Sequence, residues 1–140
     1  MSDCERSDTI AGETKMIKLI YCISKREDLD AAEFYRYWLQ DHAPLVKSVA
    51  AAIGASRYVQ SHTALPEVNA IFQAGRGLEA PYDGITELWW QDQAAFEQGT
   101  ATPEGVAAAR QLQADEANFI DFSRSRIFMS EEHEIFDLAQ

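Results

Sequence analysis

His42 is the residue whose type and neighbours best suit proton-transfer chemistry. An imidazole titrates near neutral pH, so it can both take and give a proton during enolisation, dehydration or decarboxylation. Asp41 precedes it and Pro44 follows two residues later. Because proline lacks a backbone donor and disfavours the α conformation of the residue before it, we predict a stop or bend at 41–44. His42 is then either a general acid/base oriented by Asp41 or a group that hydrogen-bonds the bend.

Aromatic residues near His42 and on the predicted strands are candidates for a pocket that binds a planar substrate. They are Tyr37, Trp38, Tyr58, Trp89 and Trp90. A tyrosine hydroxyl can polarise a carbonyl, and aromatic rings commonly line ligand pockets. Core packing is the simpler role for most of them, and Trp38, four residues after Phe34, has the spacing of helix-to-sheet packing. Tyr58, on a half-polar strand, is the better pocket candidate.

Glu87 lies in the middle of an apolar strand, where a carboxylate is costly unless it is paired or hydrogen-bonded. It is predicted to be either an acid/base group or, with more weight, half of an ion pair. The candidate partners are Arg57, Arg124 and Arg126. Asp121 is predicted at a sheet end or a dimer contact, and His62 is predicted to face solvent.

The sequence predicts no metal site and no nucleotide cofactor. His42, His62 and His133 are far apart, and no His-x-x-x-His or Cys-x-x-Cys pattern occurs. No Gly-x-Gly-x-x-Gly and no P-loop occurs either. A lone histidine can supply one axial ligand, so haem stays open.

Composition limits the class of protein. The 140 residues have room for one domain, and 46% apolar residues is typical of a globular chain. The formal charge of −11 disfavours nucleic acid and anionic membrane surfaces as partners. The first fifteen residues lack the apolar segment of a signal peptide, and Cys4 and Cys22 do not make a disulfide framework. We therefore expect a cytoplasmic protein in which Cys22 is a small buried hydrophobe.

The elements that must position these residues follow from hydrophobic periodicity. Four segments are predicted as strands: 16–24, 55–62, 82–90 and 120–129. Predicted helices are a long helix or helix pair from about Asp30 to Ile53, a short one after Asp92, and one over 106–119. The 19 residues of 63–81 are predicted to be a functional lid or a disordered connection.

The order of these elements predicts an α+β domain, a ferredoxin-like βαββαβ fold with a four-stranded antiparallel sheet. Residues 1–15 are a predicted disordered leader, 16–130 the domain and 131–140 an acidic tail. Both faces of the predicted sheet are apolar, so something must cover the face without helices. A second copy of the chain is the economical answer, because closed two-fold assembly is the commonest oligomeric state.

The chain resembles the EthD family of dimeric α+β barrel proteins over about 16–129. The resemblance rests on the first strand, the run from Phe34 to Val46 with its Trp-x-x-x-His-x-Pro-Leu-Val element, the strand from Tyr82 to Trp90, and the segment from Asp115 to Asp121. It implies a ferredoxin-like fold, a homodimer whose two sheets close into a barrel, and a pocket between sheet and helices. Similar sequences include fungal enzymes that dehydrate or decarboxylate aromatic polyketides, and related barrels include cofactor-free monooxygenases and haem-degrading enzymes.

The leading hypothesis is a cofactor-independent enzyme acting on a small hydrophobic molecule that carries a carbonyl or phenol. His42 is its general acid/base, Tyr58 and Glu87 are further catalytic candidates, and Tyr37, Trp38, Asp41 and Trp89 are substrate-binding candidates. Two alternatives stay open. One is a barrel-type monooxygenase or other oxidoreductase, and the other is a non-catalytic binding protein of a degradation pathway such as that of ethyl tert-butyl ether.

Overall fold

An antiparallel four-stranded sheet with the strand order β2-β3-β1-β4 forms one layer of the molecule. The computed structural model describes residues 15–139, so most of the predicted leader, with Cys4, lies outside the described residues. The strands are β1 Ile17–Ile23, β2 Arg57–His62, β3 Gly84–Trp90 and β4 Arg126–Glu131. The helices are α1 Ala31–Arg36, α2 Ala43–Ile53, α3 Pro66–Arg76, α4 Gln93–Ala101 and α5 Pro103–Glu116. This is the α+β fold that the order of sequence elements predicts.

The strand register assigns each side chain to one face of the sheet. Ile20 of β1 is opposite Glu87 of β3 on one side and Phe128 of β4 on the other. Because successive side chains alternate between faces, Leu19, Tyr21 and Ile23 face the helices. None of the helices in residues 15–139 lies over the opposite face, and we call it the open sheet face. It carries Lys18, Ile20, Cys22, Arg57, Val59, Ser61, Ile85, Glu87, Trp89, Arg126, Phe128 and Ser130.

The chain does not stop at 41–44 as predicted. A π-helical turn, Tyr37–His42, joins α1 directly to α2, and the Ala43 N–H donates to the carbonyl of Trp38. Pro44 is the second residue of α2, directly after the widened turn, and Ala43 keeps helical angles of φ −59° and ψ −43°. The irregularity is therefore a widened turn inside one continuous helix, a feature often found at functional sites.

The core between sheet and helices is aromatic around Trp38. Trp38, Phe34 and Phe119 are fully buried and pack on one another. A Cβ at Gly84 of β3 would lie 2.4 Å from Cζ3 of Trp38. Only glycine therefore fits at the position where the indole crosses the strand.

Three other predictions differ from the structure. The disordered alternative for 63–81 is wrong, because this connection contains a helix, α3, which has an apolar side but no buried residue. Strand β4 begins at Arg126 rather than at residue 120, because Asp121 accepts from the Ser123 N–H and begins a 3₁₀ turn, Phe122–Arg124. Cys22 is only partly buried, since it lies on the open sheet face. In the part of the chain that the structure describes, no helix is long and apolar enough to cross a membrane.

Candidate active site

A cavity of about 430 Å³ lies between the sheet and the helices. Most of its lining is apolar, from β1, β3, α2 and α5. The titratable side chains that line it are Tyr21, His42, Tyr58 and Glu116. No lysine or arginine is among the described residues that line it. The volume is in the range of small-molecule sites, and the lining favours an uncharged occupant.

His42, on the π-helical turn, is held by Asp115 from the last turn of α5. The Nδ1 atom of His42 lies 2.7 Å from Oδ2 of Asp115. A carboxylate accepts, so Nδ1 carries the proton and donates it. The ring is 6% exposed and packs 4.9 Å from the ring of Phe119. These contacts fix the orientation and the tautomer of the imidazole.

Asp115 is itself fixed by two further donors. The Tyr37 hydroxyl donates to Oδ1 of Asp115 at 2.6 Å, and the Asn118 amide donates to the same oxygen at 3.3 Å. Partial burial raises the pKa of Asp115, but the hydrogen bonds from Tyr37 and His42 outweigh it and leave that pKa below its usual value. Asp115 is therefore ionised at neutral pH.

Burial lowers the pKa of His42 below its usual value, although Asp115 acts in the opposite direction. The imidazole is therefore neutral at pH 7, with its proton on Nδ1. Its Nε2 atom then has a free lone pair and no hydrogen-bond partner among the described residues. A neutral imidazole with a free Nε2 on a cavity is able to accept a proton from a bound molecule.

A second polar pair lies in the same cavity. The Tyr21 hydroxyl of β1 donates to Oε1 of Glu116 at 3.0 Å. Burial, with a smaller contribution from the charge of Asp115, raises the pKa of Glu116 to about 7, although the Tyr21 hydrogen bond acts against this rise. At neutral pH this carboxyl group is thus divided between its protonated and ionised forms.

Tyr58 reaches the cavity from β2. Its hydroxyl accepts from the Gln60 amide at 2.7 Å, and burial raises its pKa. Gln60 also accepts from Nε2 of His62 at 2.8 Å, while the His62 ring stacks on Trp38 with centroids 4.5 Å apart. The prediction that His62 faces solvent is therefore wrong, because the ring packs against the aromatic core.

Of the residues predicted from sequence, the structure brings His42, Tyr58, Trp38 and Trp90 to the cavity. Tyr37 does not line the cavity: its hydroxyl donates to Asp115, and its ring packs on Phe119 of the cavity wall. Asp41 does not orient His42: it lies on the surface and pairs with Arg36 at 3.1 Å. On a helical segment, consecutive residues point in different directions, so the neighbour in sequence is not the neighbour in space.

Glu87 and Trp89 lie on the open sheet face and do not reach the cavity. Glu87 forms the predicted ion pair, but its partner is Lys18 at 2.7 Å rather than an arginine. Trp89 lies between the Lys18 ammonium and the Arg57 guanidinium, at 5.0 and 4.3 Å from the ring centroid. Asp121 caps the 3₁₀ turn and pairs with Arg124 at 2.8 Å.

The sequence reasoning missed Tyr21, Asp115 and Glu116 as site residues. One available signal was that two acidic residues end α5, where the helix dipole disfavours negative charge. Each of these acidic residues has a partner from another element: His42 of the π-helical turn for Asp115, and Tyr21 of β1 for Glu116. The described residues contain no group of three His, Cys, Asp or Glu side chains suited to a metal ion.

Comparison with known proteins places the fold. The EthD domain model matches residues 26–123, more than half of the chain. An EthD family protein from Bacillus halodurans C-125 is 22% identical, with a TM-score of 0.56 over 84% of this chain and 99% of that one. A dimeric protein of ferredoxin-like fold from Bacteroides fragilis NCTC 9343 is 14% identical, with a TM-score of 0.52 over 84% and 96%.

A hydroxynitrile lyase from Passiflora edulis is 10% identical, with a TM-score of 0.57 over 89% of this chain and 100% of that one. At these identities the solved structures show a shared fold. No curated protein sequence matches the chain.

Proposed function

The chain belongs to the EthD family, and we propose that it is an enzyme that removes a proton from a small hydrophobic molecule with His42 as the general base. The observation that carries this proposal is the His42–Asp115 pair at the wall of an apolar cavity. Asp115 holds the proton on Nδ1, so Nε2 is the basic atom.

A structural role for His42 is the competing explanation. A histidine that only stabilises the π-helical turn has no need of a ring nitrogen that is open to a cavity. Here Nδ1 is bonded to a residue 73 positions away, and Nε2 has no partner among the described residues. The proposed role accounts for this one-sided bonding, because a general base needs one free nitrogen.

The proposed substrate is a small hydrophobic molecule that carries a carbonyl or phenol group. The apolar lining supports a hydrophobic skeleton, and Tyr21, Tyr58 and Glu116 offer polar contacts for an oxygen atom. Proton removal next to a carbonyl begins dehydrations and cyclisations of such molecules. We propose that no cofactor takes part, since side chains at the cavity supply both a base and hydrogen-bond donors.

We also propose that the protein works as a homodimer in which the open sheet faces of two copies meet. Ile20, Val59, Ile85 and Phe128 give that face apolar side chains on all four strands, and Glu87, which lies between Val59 and Ile20, is paired with Lys18. Phe128 is 49% exposed in the single chain. A similar structure from Bacteroides fragilis is described as dimeric, which supports the same assembly here.

Proton exchange on a simple ketone tests the enzymatic proposal without knowledge of the natural substrate. The probe is 2-tetralone, a two-ring hydrophobic ketone, whose α-hydrogen exchange in D₂O is followed by NMR. We expect the wild type to accelerate exchange and His42→Ala to lose about 100-fold or more of that acceleration. The control is His133→Ala, since His133 lies on the exposed C-terminal segment. Binding of the ketone without any accelerated exchange would refute the enzymatic role.

A further inference from the structure

Glu116 is the one carboxyl group among the described residues that line the cavity. The Tyr21 hydroxyl donates a hydrogen bond to its Oε1 atom at 3.0 Å. Its Oε2 atom has no hydrogen-bond partner among the described residues and is not sealed from the cavity or solvent. A carboxyl group held by one oxygen keeps the other oxygen free for a bound molecule.

The groups that face Glu116 include no positive charge at neutral pH. Tyr21 comes from β1, Tyr58 from β2 and neutral His42 from the π-helical turn, while Asp115 adds a negative charge from the same helix. No lysine or arginine among the described residues lines the cavity. The protonated form of Glu116 is therefore favoured more than in an exposed carboxyl, and an anionic ligand would find no counter-charge.

We propose that protonated Glu116 donates a hydrogen bond from Oε2 to the carbonyl oxygen of the substrate, and that this substrate is an uncharged, hydrophobic, enolisable ketone. The inference rests on the proposed function, in which His42 acts on the carbon side of the same molecule. Tyr21 acts as a positioning residue in this step, because its hydroxyl donates to Oε1 of Glu116. A carboxylic acid kept neutral by apolar surroundings is an effective donor to a developing enolate.

The step balances within the site. Nε2 of His42 takes the proton from the α-carbon, and the electrons of that C–H bond form the carbon–carbon double bond. The π electrons of the carbonyl move to its oxygen, which receives the proton from Oε2 of Glu116. The product is a neutral enol beside an imidazolium and a carboxylate. The reverse step in D₂O returns a deuteron to carbon, which is the exchange that NMR detects.

Binding of 2-tetralone as a function of pH tests the inference separately from turnover. The ketone only accepts hydrogen bonds, so it loses its partner when Glu116 ionises. We expect the affinity of the wild type to fall about tenfold between about pH 6 and pH 8.5, the size of one hydrogen bond lost from a desolvated site. Glu116→Gln keeps the shape and a donor but cannot ionise, so its affinity should not change over that range.

Two controls define the specificity of the effect. Glu104→Gln makes the same chemical change on the exposed first turn of α5 and should retain the wild-type pH dependence. The anion 2-naphthoate should bind at least tenfold more weakly than 2-tetralone, because the cavity offers no positive charge. Glu116→Gln should also slow exchange about tenfold or more, since an amide is a much weaker acid.

The outcomes separate this inference from the proposed function. If His42→Ala abolishes exchange while Glu116→Gln keeps both the wild-type rate and the wild-type pH dependence of binding, Glu116 is not the oxygen contact. Equal binding of 2-naphthoate and 2-tetralone would overturn the assignment of an uncharged substrate. If Glu116→Gln removes the pH dependence of binding but His42→Ala exchanges normally, the Glu116 contact stands and the role of His42 fails.

Discussion

The Nδ1 atom of His42 lies 2.7 Å from Oδ2 of Asp115, although the two residues are 73 positions apart. The contact joins the π-helical turn to the last turn of α5 and leaves the other side of the imidazole to the cavity. Tyr37 and Asn118 hold Asp115 in turn. Asp115 therefore sets the tautomer of His42. Asp41, the neighbour of His42 in sequence, takes no part in these contacts.

Asp115→Asn should therefore slow 2-tetralone exchange by about 100-fold or more, because an amide does not hold the proton on Nδ1 as a carboxylate does. Binding of the ketone should change little, since Asp115 does not line the cavity. Asp41→Asn is the matched control, the same change next to His42 in sequence. A slow Asp41→Asn variant with a normal Asp115→Asn variant would reverse the assignment.

The pH dependence of exchange should be bell-shaped. Activity requires neutral His42 and protonated Glu116, so the rate should fall at low pH as His42 takes a proton and above about pH 7 as Glu116 loses one. The Tyr21 hydrogen bond lowers the pKa of Glu116. Tyr21→Phe should then move the alkaline limb to higher pH, and a limb that stays in place would show that it does not report Glu116.

Glu116 should also make folding stability depend on pH. Its pKa rises on folding from 4.5 to about 7, so the folded state binds a proton more tightly than the unfolded state. This contribution is fully present below about pH 4.5 and is lost as pH rises to about 7. As the pH rises from about 4.5 to about 7, the unfolding free energy of Glu116→Gln should therefore increase relative to that of the wild type by roughly 2 kcal/mol, a value discounted for partial solvation. Urea unfolding at several pH values measures this, and a constant difference would contradict it.

Gly84→Ala should destabilise the protein by about 1–3 kcal/mol, because the new methyl group would overlap the Trp38 ring. The control is Gly75→Ala on α3, where no atom lies within 4 Å of the added Cβ. That change should stabilise slightly, since alanine is the better helix former. Thermal unfolding compares the two variants, and equal melting temperatures would mean that the structure accommodates a methyl group at Gly84.

Phe128→Glu should convert the proposed dimer to a monomer, because it places a charge on the open sheet face, on the edge strand β4. Phe72→Glu on α3 is matched in chemistry and exposure, at 50% against 49% for Phe128. Sedimentation velocity should show a monomer for the first variant and a dimer for the second. A dimer that survives Phe128→Glu would place the interface elsewhere.

The strand and helix pattern could be predicted because it depends on local periodicity, and the strands β1 to β3 follow it closely. The continuous helix through Pro44 could not, since a π-helical turn has no clear sequence signature and proline ordinarily indicates a stop or a bend. Helix α3 has an apolar side, but its prolines and glycines are also typical of loops. Pro66 lies in its first turn and Gly77 ends it, so these residues do not distinguish a helix from an irregular connection.

Some residues of the site could likewise be predicted from the sequence, and others could not. His42 and Tyr58 stand out by residue type and position, whereas Asp115 and Glu116 acquire their roles from contacts with distant elements. Assigning Glu87 and Trp89 to the site required knowing which face of β3 lies under the helices. A shift of one residue reverses every side chain of a strand, so periodicity alone does not settle that question.

The protonation of the His42 ring is the most direct test of the catalytic proposal, and ¹⁵N NMR of the imidazole nitrogens measures it. His62→Gln and His133→Gln variants assign the resonances. At pH 7 we expect a neutral ring with its proton on Nδ1, a pKa below the usual value, and a change at Nε2 when 2-tetralone is added. A charged ring, a proton on Nε2, or an Nε2 resonance that does not change when 2-tetralone is added would contradict the role of His42 as the base.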